Sequence, residues 1–298
     1  MVMRLLLSFL LLTLAVVAKE PSTYRSDYAE LKKKVSADKM EKHLAEWRER
    51  EPGNPDAYVL SANWYFEQAM SAVNVTTKPP EGKDFEIRDK AGNVAGSVSF
   101  GSAAGANQAG DFLRAALERW PERFDIHCGL AHMMQETSQW DAEIAALRNA
   151  AAAVKEHRKD LRWCHAERVQ APTEQFVAEK FHSFALRQYE RENEDGIQRM
   201  QTIAQLLVEV APNCPEGFND LAIVKGVAKD WAGMQELLEK AAAVAPRDDL
   251  VWLNLGDNSL RLDRKERAAA AYRHVLKITK NKEYQRAARE GLEKLNGQ

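Results

Sequence analysis

Apolar residues recur at helical spacing along most of the chain, and toward the C-terminus the recurrence itself repeats. Pro212 and Pro246 stand roughly 34 residues apart, an interval in the range of helical repeats. The segment between them predicts a helix, a short turn at Asp230-Trp231 and a second helix. Shifting by that same interval places Phe218 on Trp252, Leu221 and Ala222 on Leu255 and Gly256, Leu238 on Tyr272, and Ala241 on Val275. Pro246 falls on Lys280, so the last copy lacks its proline. A fixed period of this length, with two helices in each copy, predicts a helical-repeat array. No copy can bury its apolar face alone, so neighbouring copies must stack.

Upstream the period weakens. Pro52 to Tyr58 predicts a turn leading into a first helix that runs to about Val73. Its partner begins near Asn107 and ends at Trp120-Pro121. Pro52 and Pro121 stand two such periods apart, so an insertion of one period splits this copy. Phe124, Leu130, Ala131, Trp140 and Leu147 mark the next copy, with Trp140 in the place of Trp231. Between Lys155 and Gln175 the period is interrupted, and a short added helix is predicted from Arg162 to Val169, ended by Pro172. Phe181 to Pro212 reads as a degenerate copy. Tyr24 to Glu51 predicts a leading helical pair. From Glu283 to Leu295, apolar Ala287, Leu292 and Leu295 alternate with charges, the pattern of an amphipathic cover for the array end.

The pattern resembles the tetratricopeptide repeat. That family places an aromatic residue, then Leu-Gly, then a small residue, an aromatic, Ala and Pro at fixed offsets. Trp252, Leu255, Gly256, Ala268 and Tyr272 match in one copy, and Phe218, Leu221, Ala222, Leu238, Ala241 and Pro246 in the other. Small residues at Ala222 and Gly256 let two helices approach closely, while Trp252 and Leu255 fill the space between them. Pro246 stops a helix it cannot continue. The resemblance implies an all-α fold, a right-handed α-α superhelix of about five helical pairs, over residues 19–298. Its best copies are 215–246 and 249–280, and its cap is 283–296. Two departures stand out. Glu143 falls where the family has a small residue, and Arg187-Gln188 replaces Leu-Gly.

The insertion, 74–106, has another character. Pro79-Pro80 excludes helix, and Phe85 and Ile87 alternate with Glu86 and Arg88 at period two. Lys90 to Asn93 supplies a turn, after which Val94, Val98 and Phe100 resume the alternation. A β-hairpin is predicted, followed by a flexible glycine-containing run from Gly101 to Gly110. A lone hairpin is marginally stable in water, so it must lie on the array or on a partner.

Composition then narrows the class of partner. In 298 residues, 42 basic and 44 acidic side chains leave a net charge of −2. Nucleic-acid-binding domains are usually clearly basic, so no nucleic-acid partner is expected. Residues 1–18 carry Arg4, the apolar run Leu5 to Val17, and Ala18 at the end. This is the layout of a secretory signal peptide. The run falls short of the roughly 20 residues that span a bilayer, although an uncleaved anchor is the alternative. The mature chain is therefore expected to be exported, periplasmic or secreted, with no stable membrane span. Cys128, Cys164 and Cys214 are an odd number, so at least one thiol stays outside any intramolecular pair. Asn74-Val75-Thr76 is a glycosylation sequon that matters only in a eukaryotic secretory pathway.

Candidate chemistry is sparse. Cys128 and His132 share a helix face, with His127 adjacent and Cys164-His165 further on. Structural zinc usually takes four ligands in tight pairs, and no such pair exists, so no metal or other cofactor is expected. No nucleophile elbow, phosphate-binding glycine loop or H-E-x-x-H occurs, and no catalytic residue is assigned. The resemblance implies a partner-binding groove along the first helices, mapping onto Asn63, Cys128, His132, Tyr189, Asn219, Asn254, Asp257 and Arg261. Asn219 stands where the carboxylate-gripping subgroup of the family has Lys. The expected function is a protein-interaction scaffold holding a peptide or helix. A metal-dependent or enzymatic module built on the His/Cys residues is one alternative. A polysaccharide or cell-wall binder is another, although Trp64, Trp120, Trp140, Trp231 and Trp252 fall at packing positions.

Overall fold

The computed structural model describes residues 23–296, apart from 35–36, 72, 79–84, 101–102, 165–166 and 171. The predicted signal peptide and Pro79-Pro80 therefore lie outside the described residues. Two compact units are formed, one ending at Ala57 and the other beginning at Tyr58.

The first unit holds α1 (Thr23–Lys34) and α2 (Ala37–Arg50). Met40, Leu44 and Trp47 recur on one face of α2 and are completely buried. Tyr24 of α1 stacks on Trp47 with ring centroids 5.9 Å apart, and the Trp47 indole donates to Glu51 at 2.9 Å.

The second unit is the repeat array. Its helices are α3 (Pro55–Ser71, entered from the first unit), α4 (Ala103–Leu117), α5 (Phe124–Glu136), α6 (Trp140–His157), α7 (Thr173–Tyr189), α8 (Glu194–Val210), α9 (Pro215–Val227), α10 (Trp231–Val244), α11 (Asp249–Arg261), α12 (Lys265–Ile278) and α13 (Lys282–Asn296). Successive helices pack as pairs, α5 on α6, α7 on α8, α9 on α10 and α11 on α12. The insertion separates α3 from α4 in sequence, yet Tyr65 meets Phe112 at 5.2 Å and Tyr58 meets Trp120 at 5.7 Å, so the split copy is closed.

One local device recurs in all four uninterrupted pairs. Ser138, Glu192, Lys229 and Asp263 each adopt positive φ, 58°, 53°, 58° and 54°. Each stands just before its second helix. In three of the turns an amide reaches back across the turn: Gln139 to Met134, Asp230 to Lys225 and Arg264 to Ser259, all at 2.9 Å. This is the Schellman closure of a helix end. Side-chain caps then start several helices. Asn193 accepts from the Gly196 amide at 2.8 Å, Asp230 from Gly233 at 2.9 Å and Asp248 from Val251 at 3.0 Å. Phe181 to Pro212, degenerate in sequence, is thus a full helical pair. The core between α9 and α11 gathers Ala222, Leu238, Ala241, Val251 and Leu255, with Phe218 and Trp252 packed against them. Burying each large apolar side chain contributes roughly 1.5–3 kcal/mol. The fold is all-α, a helical-repeat array carrying a small inserted sheet, as the resemblance implies.

Three expectations are corrected. First, the insertion is a three-stranded antiparallel sheet, not a hairpin alone. The predicted hairpin exists as β2 (Phe85–Arg88) and β3 (Val94–Phe100), but β1 (Val73–Thr76) joins β3 on its other side. Val75, Val98 and Phe85 form one cross-strand row. A Cβ on Gly96 would collide with the Thr76 carbonyl, so the approach of β1 requires glycine there. Second, α4 begins at Ala103, so most of the run taken for a flexible link is helix. Third, the described residues of the stretch from Arg162 to Val169 are not helical. They form the short strands β4 (Arg162–Trp163) and β5 (Glu167–Arg168), paired antiparallel. Leu161 and Val169 close the ladder as buried ends, and the Arg162 amide is pinned to the Glu122 carbonyl at 2.9 Å. Long-range pairing overrides helical spacing here.

Candidate functional site

Five elements of the second unit, α3, α4, α5, β4 and α7, line a cleft of about 380 Å³. Helical spacing delivers the side chains. Val59 and Asn63 come from one face of α3, Cys128 and His132 from one face of α5, and Lys180, Phe184 and Arg187 from one face of α7. The end of the β4 ladder brings Trp163 and Cys164 to the rim.

The cleft has an apolar floor and a cationic side. Asp125 is already held by Arg123 through two hydrogen bonds of 2.8 and 2.7 Å. Arg187 pairs with Glu136 at 2.7 Å. Lys180 differs. Its ammonium lies 5.2 Å from the Trp163 ring centre and 5.1 Å from that of Phe176, and no carboxylate pairs with it among the described residues. Trp163 and Phe176 meet edge to face at 4.9 Å, giving the ammonium an aromatic seat. His132 is half-exposed, and burial pushes its imidazole below the ordinary range against the pull of Glu136. It is therefore a neutral donor and acceptor near pH 7.

The sequence-derived groove residues separate into groups. Asn63, Cys128 and His132 meet in this cleft. Tyr189 lines a different one. Asn219 and Asn254 are half-buried on α9 and α11, outside this cleft. Asp257 accepts the Tyr272 hydroxyl at 2.7 Å, and Arg261 lies 4.8 Å over the Trp231 ring, so both already have structural partners. Sequence reasoning did not assign Lys180, Trp163 or Phe184 to the site. The spacing of Lys180, Phe184 and Arg187 on one helix face was the available signal. Also unassigned was His182, whose Nδ1 sits 2.9 Å from buried Asp220 and ties α7 to α9.

Of the groups proposed for metal or catalytic chemistry, His127 is packed in the interior, whereas Cys128, His132 and Cys164 line the cleft and Cys164 is exposed. Burial pushes the Cys128 thiol far above its ordinary range and raises that of Cys164. His127 is buried, with Nε2 3.0 Å from the Pro121 carbonyl. Among the described residues no group of three or more His, Cys, Asp or Glu could hold a metal ion, and His165 lies outside them. Trp47 and Trp64 are buried, Trp252 donates to the Pro246 carbonyl at 3.1 Å, and Trp140 is covered by Arg191 and Arg199. Among the described residues no helix is long and apolar enough to cross a membrane.

No family model and no curated protein matches the chain. Solved structures with similar helical layouts include YrrB, described as a TPR protein with an unusual peptide-binding site. It is 10% identical, covers 83% of this chain and 97% of its own, and has a TM-score of 0.42. The assembly chaperone of RpL4, Acl4, is 12% identical over 92% of this chain and 96% of its own, with a TM-score of 0.42. PilF of Pseudomonas aeruginosa is 16% identical over 81% and 88%, with a TM-score of 0.40. These figures describe a shared helical layout and carry nothing about what the cleft holds.

Proposed function

We propose that the chain is an exported protein-interaction scaffold that holds a carboxylate-bearing peptide in the cleft between α5 and α7. The observation that carries this reading is the convergence of Asn63 and His132 with Lys180, a cation seated on two aromatic rings and lacking a carboxylate among the described residues. An Asn side chain offers both a donor and an acceptor to a peptide backbone. Lys180 supplies the charge that a carboxylate needs, and its aromatic seat limits the ordering cost of binding. Binding rather than catalysis is favoured because Cys128 is held as a thiol by burial and His127 is bonded to a backbone carbonyl.

The test is a peptide array in which acidic residues and the free C-terminus are varied one position at a time, probed with the purified chain. Binders enriched in carboxylates are expected, with Lys180→Glu losing about tenfold or more in affinity. Binders without carboxylate preference, or equal binding by Lys180→Glu, would overturn the assignment.

Export rests on residues 1–18 alone. N-terminal sequencing of the chain recovered from periplasm or medium is expected to begin at Lys19. Retention of the intact chain inside the cell would remove that part of the proposal.

A further inference from the structure

A second cleft, about 830 Å³, opens where the turn between α7 and α8 meets the end of α9. Its wall is apolar and uncovered. Tyr189 is 41% exposed and Val227 51% exposed, and Ile197 also lines the cleft. Its rim carries Glu190, Glu192 and Glu194. None of the three carboxylates makes an ion pair among the described residues. The neighbouring cations are committed elsewhere. Arg187 holds Glu136 at 2.7 Å and Lys225 holds Asp230 at 2.8 Å. Arg191 and Arg199 lie 3.8 and 4.8 Å from the Trp140 ring centre. Glu190 also lines an adjacent cavity with Arg187 and Arg191, and Lys229 lies just beyond the end of α9.

We propose that this cleft docks a basic peptide segment, in which one aliphatic or aromatic anchor is flanked by Lys or Arg. The anchor covers Tyr189 and Val227, and the flanking cations meet the three carboxylates. Charge decides the class of occupant. Nucleic acid and anionic lipid would be repelled by this rim, and an acidic peptide would meet like charge. The site is independent of the carboxylate-binding cleft and opposite to it in sign. Helix α7 contributes to both, with Lys180 to one and Tyr189 to the other, so a single rigid helix would hold two oppositely charged partners side by side.

The experiment is fluorescence anisotropy on the purified chain. The probe is a labelled peptide with a central Leu flanked on each side by Lys and Arg. Two control peptides replace the Leu by Ser, or every basic residue by Glu. Two variants of the chain accompany it: Val227→Gln, and the triple Glu190→Gln, Glu192→Gln, Glu194→Gln. All four positions are at the surface, and circular dichroism checks that each variant folds. The basic Leu peptide is expected to bind, and the Ser control and both variants to bind about tenfold more weakly or worse. Lys180→Gln, which removes the cation of the first cleft without making it acidic, is expected to bind this probe as the natural chain does, which separates this site from the first cleft. The proposal is overturned by no binding up to about 1 mM, by equal binding to the triple variant, by equal binding of the Ser control, or by preference for the acidic peptide.

Discussion

Tyr272→Ala is expected to cost about 3–5 kcal/mol of stability, the range for emptying a large aromatic site in a packed core. The ring is completely buried between α11, α12 and α13, among Leu253, Ala268, Val275 and Ala288. Two glycines make room for it. A Cβ on Gly256 would come within 2.6 Å of the ring, and one on Gly291 would collide with it as well. The hydroxyl donates to Asp257 at 2.7 Å. Burial and that carboxylate push the phenol far above its ordinary range, so it stays a donor. Helix α13 packs on α12 and α11, and Tyr272 shares a core with its Tyr284, Ala287, Ala288, Leu292 and Leu295. Stability in such arrays is a sum of local and nearest-neighbour contributions. The loss should therefore concentrate in α11 to α13, seen as faster amide exchange there, while α5 to α8 stays protected. Tyr272→Phe should cost only about 1 kcal/mol, the net worth of one hydrogen bond. Gly291→Val should destabilise the natural chain by about 1–3 kcal/mol through overpacking. In the Tyr272→Ala background it should cost much less, because the cavity accepts the added methyls. A urea midpoint for Tyr272→Ala within about 1 kcal/mol of the natural chain would sink this account.

The repetition between the two C-terminal copies was legible because the same contacts are made twice. Ala222 and Leu238 pack in one copy as Gly256 and Tyr272 do in the next. The turn at Asp230-Trp231 was also legible, and in the structure Asp230 caps the helix that follows it. What escaped depended on distant partners. Strand β1 is short, and its partner β3 begins only at Val94, beyond the whole of β2. Gly96, which lets it approach, lies within the alternation of Val94, Val98 and Phe100 and was given no role there. Arg162 to Val169 had helical spacing, but the Glu122 carbonyl and the β4–β5 ladder capture its backbone. Likewise Lys180 and Trp163 come from a helix and from an interruption of the period, so no repeat aligns them. The two departures from the family pattern, Glu143 and Gln188, looked like separate flaws in adjacent copies. In the structure they are partners, 2.7 Å apart.

That partnership predicts the second large effect: Glu143→Ala should cost about 2–5 kcal/mol, roughly 1–3 for each of two buried amide donors left without an acceptor. Glu143 is completely buried on α6. One carboxylate oxygen accepts from Gln135 at 2.5 Å and the other from Gln188 at 2.7 Å. Gln188 accepts in turn from Arg199 at 2.9 Å. Hydrogen bonds thus replace the close helix approach that small residues give elsewhere, and the alanine variant leaves two buried amide groups without an acceptor. Removing both sides should recover part of the loss. The double variant Glu143→Ala with Gln188→Ala should be more stable than the sum of the single effects by about 1–3 kcal/mol. The same carboxylate sets a pH dependence. Burial raises its pKa from 4.5 to about 6, against hydrogen bonds from Gln188 and Gln135 and the charges of Arg199 and Arg191. Between these values the folded chain binds more protons than the unfolded chain, so stability falls as pH rises through that window. The contribution is on the order of 2 kcal/mol. Urea midpoints at pH 4.5 and 6.5 should therefore show this fall in the natural chain and lack it in Glu143→Gln, where nothing titrates at that position. A fall of the same size in both chains would assign the dependence to other groups, and additive single effects would mean that Glu143 and Gln188 are not coupled.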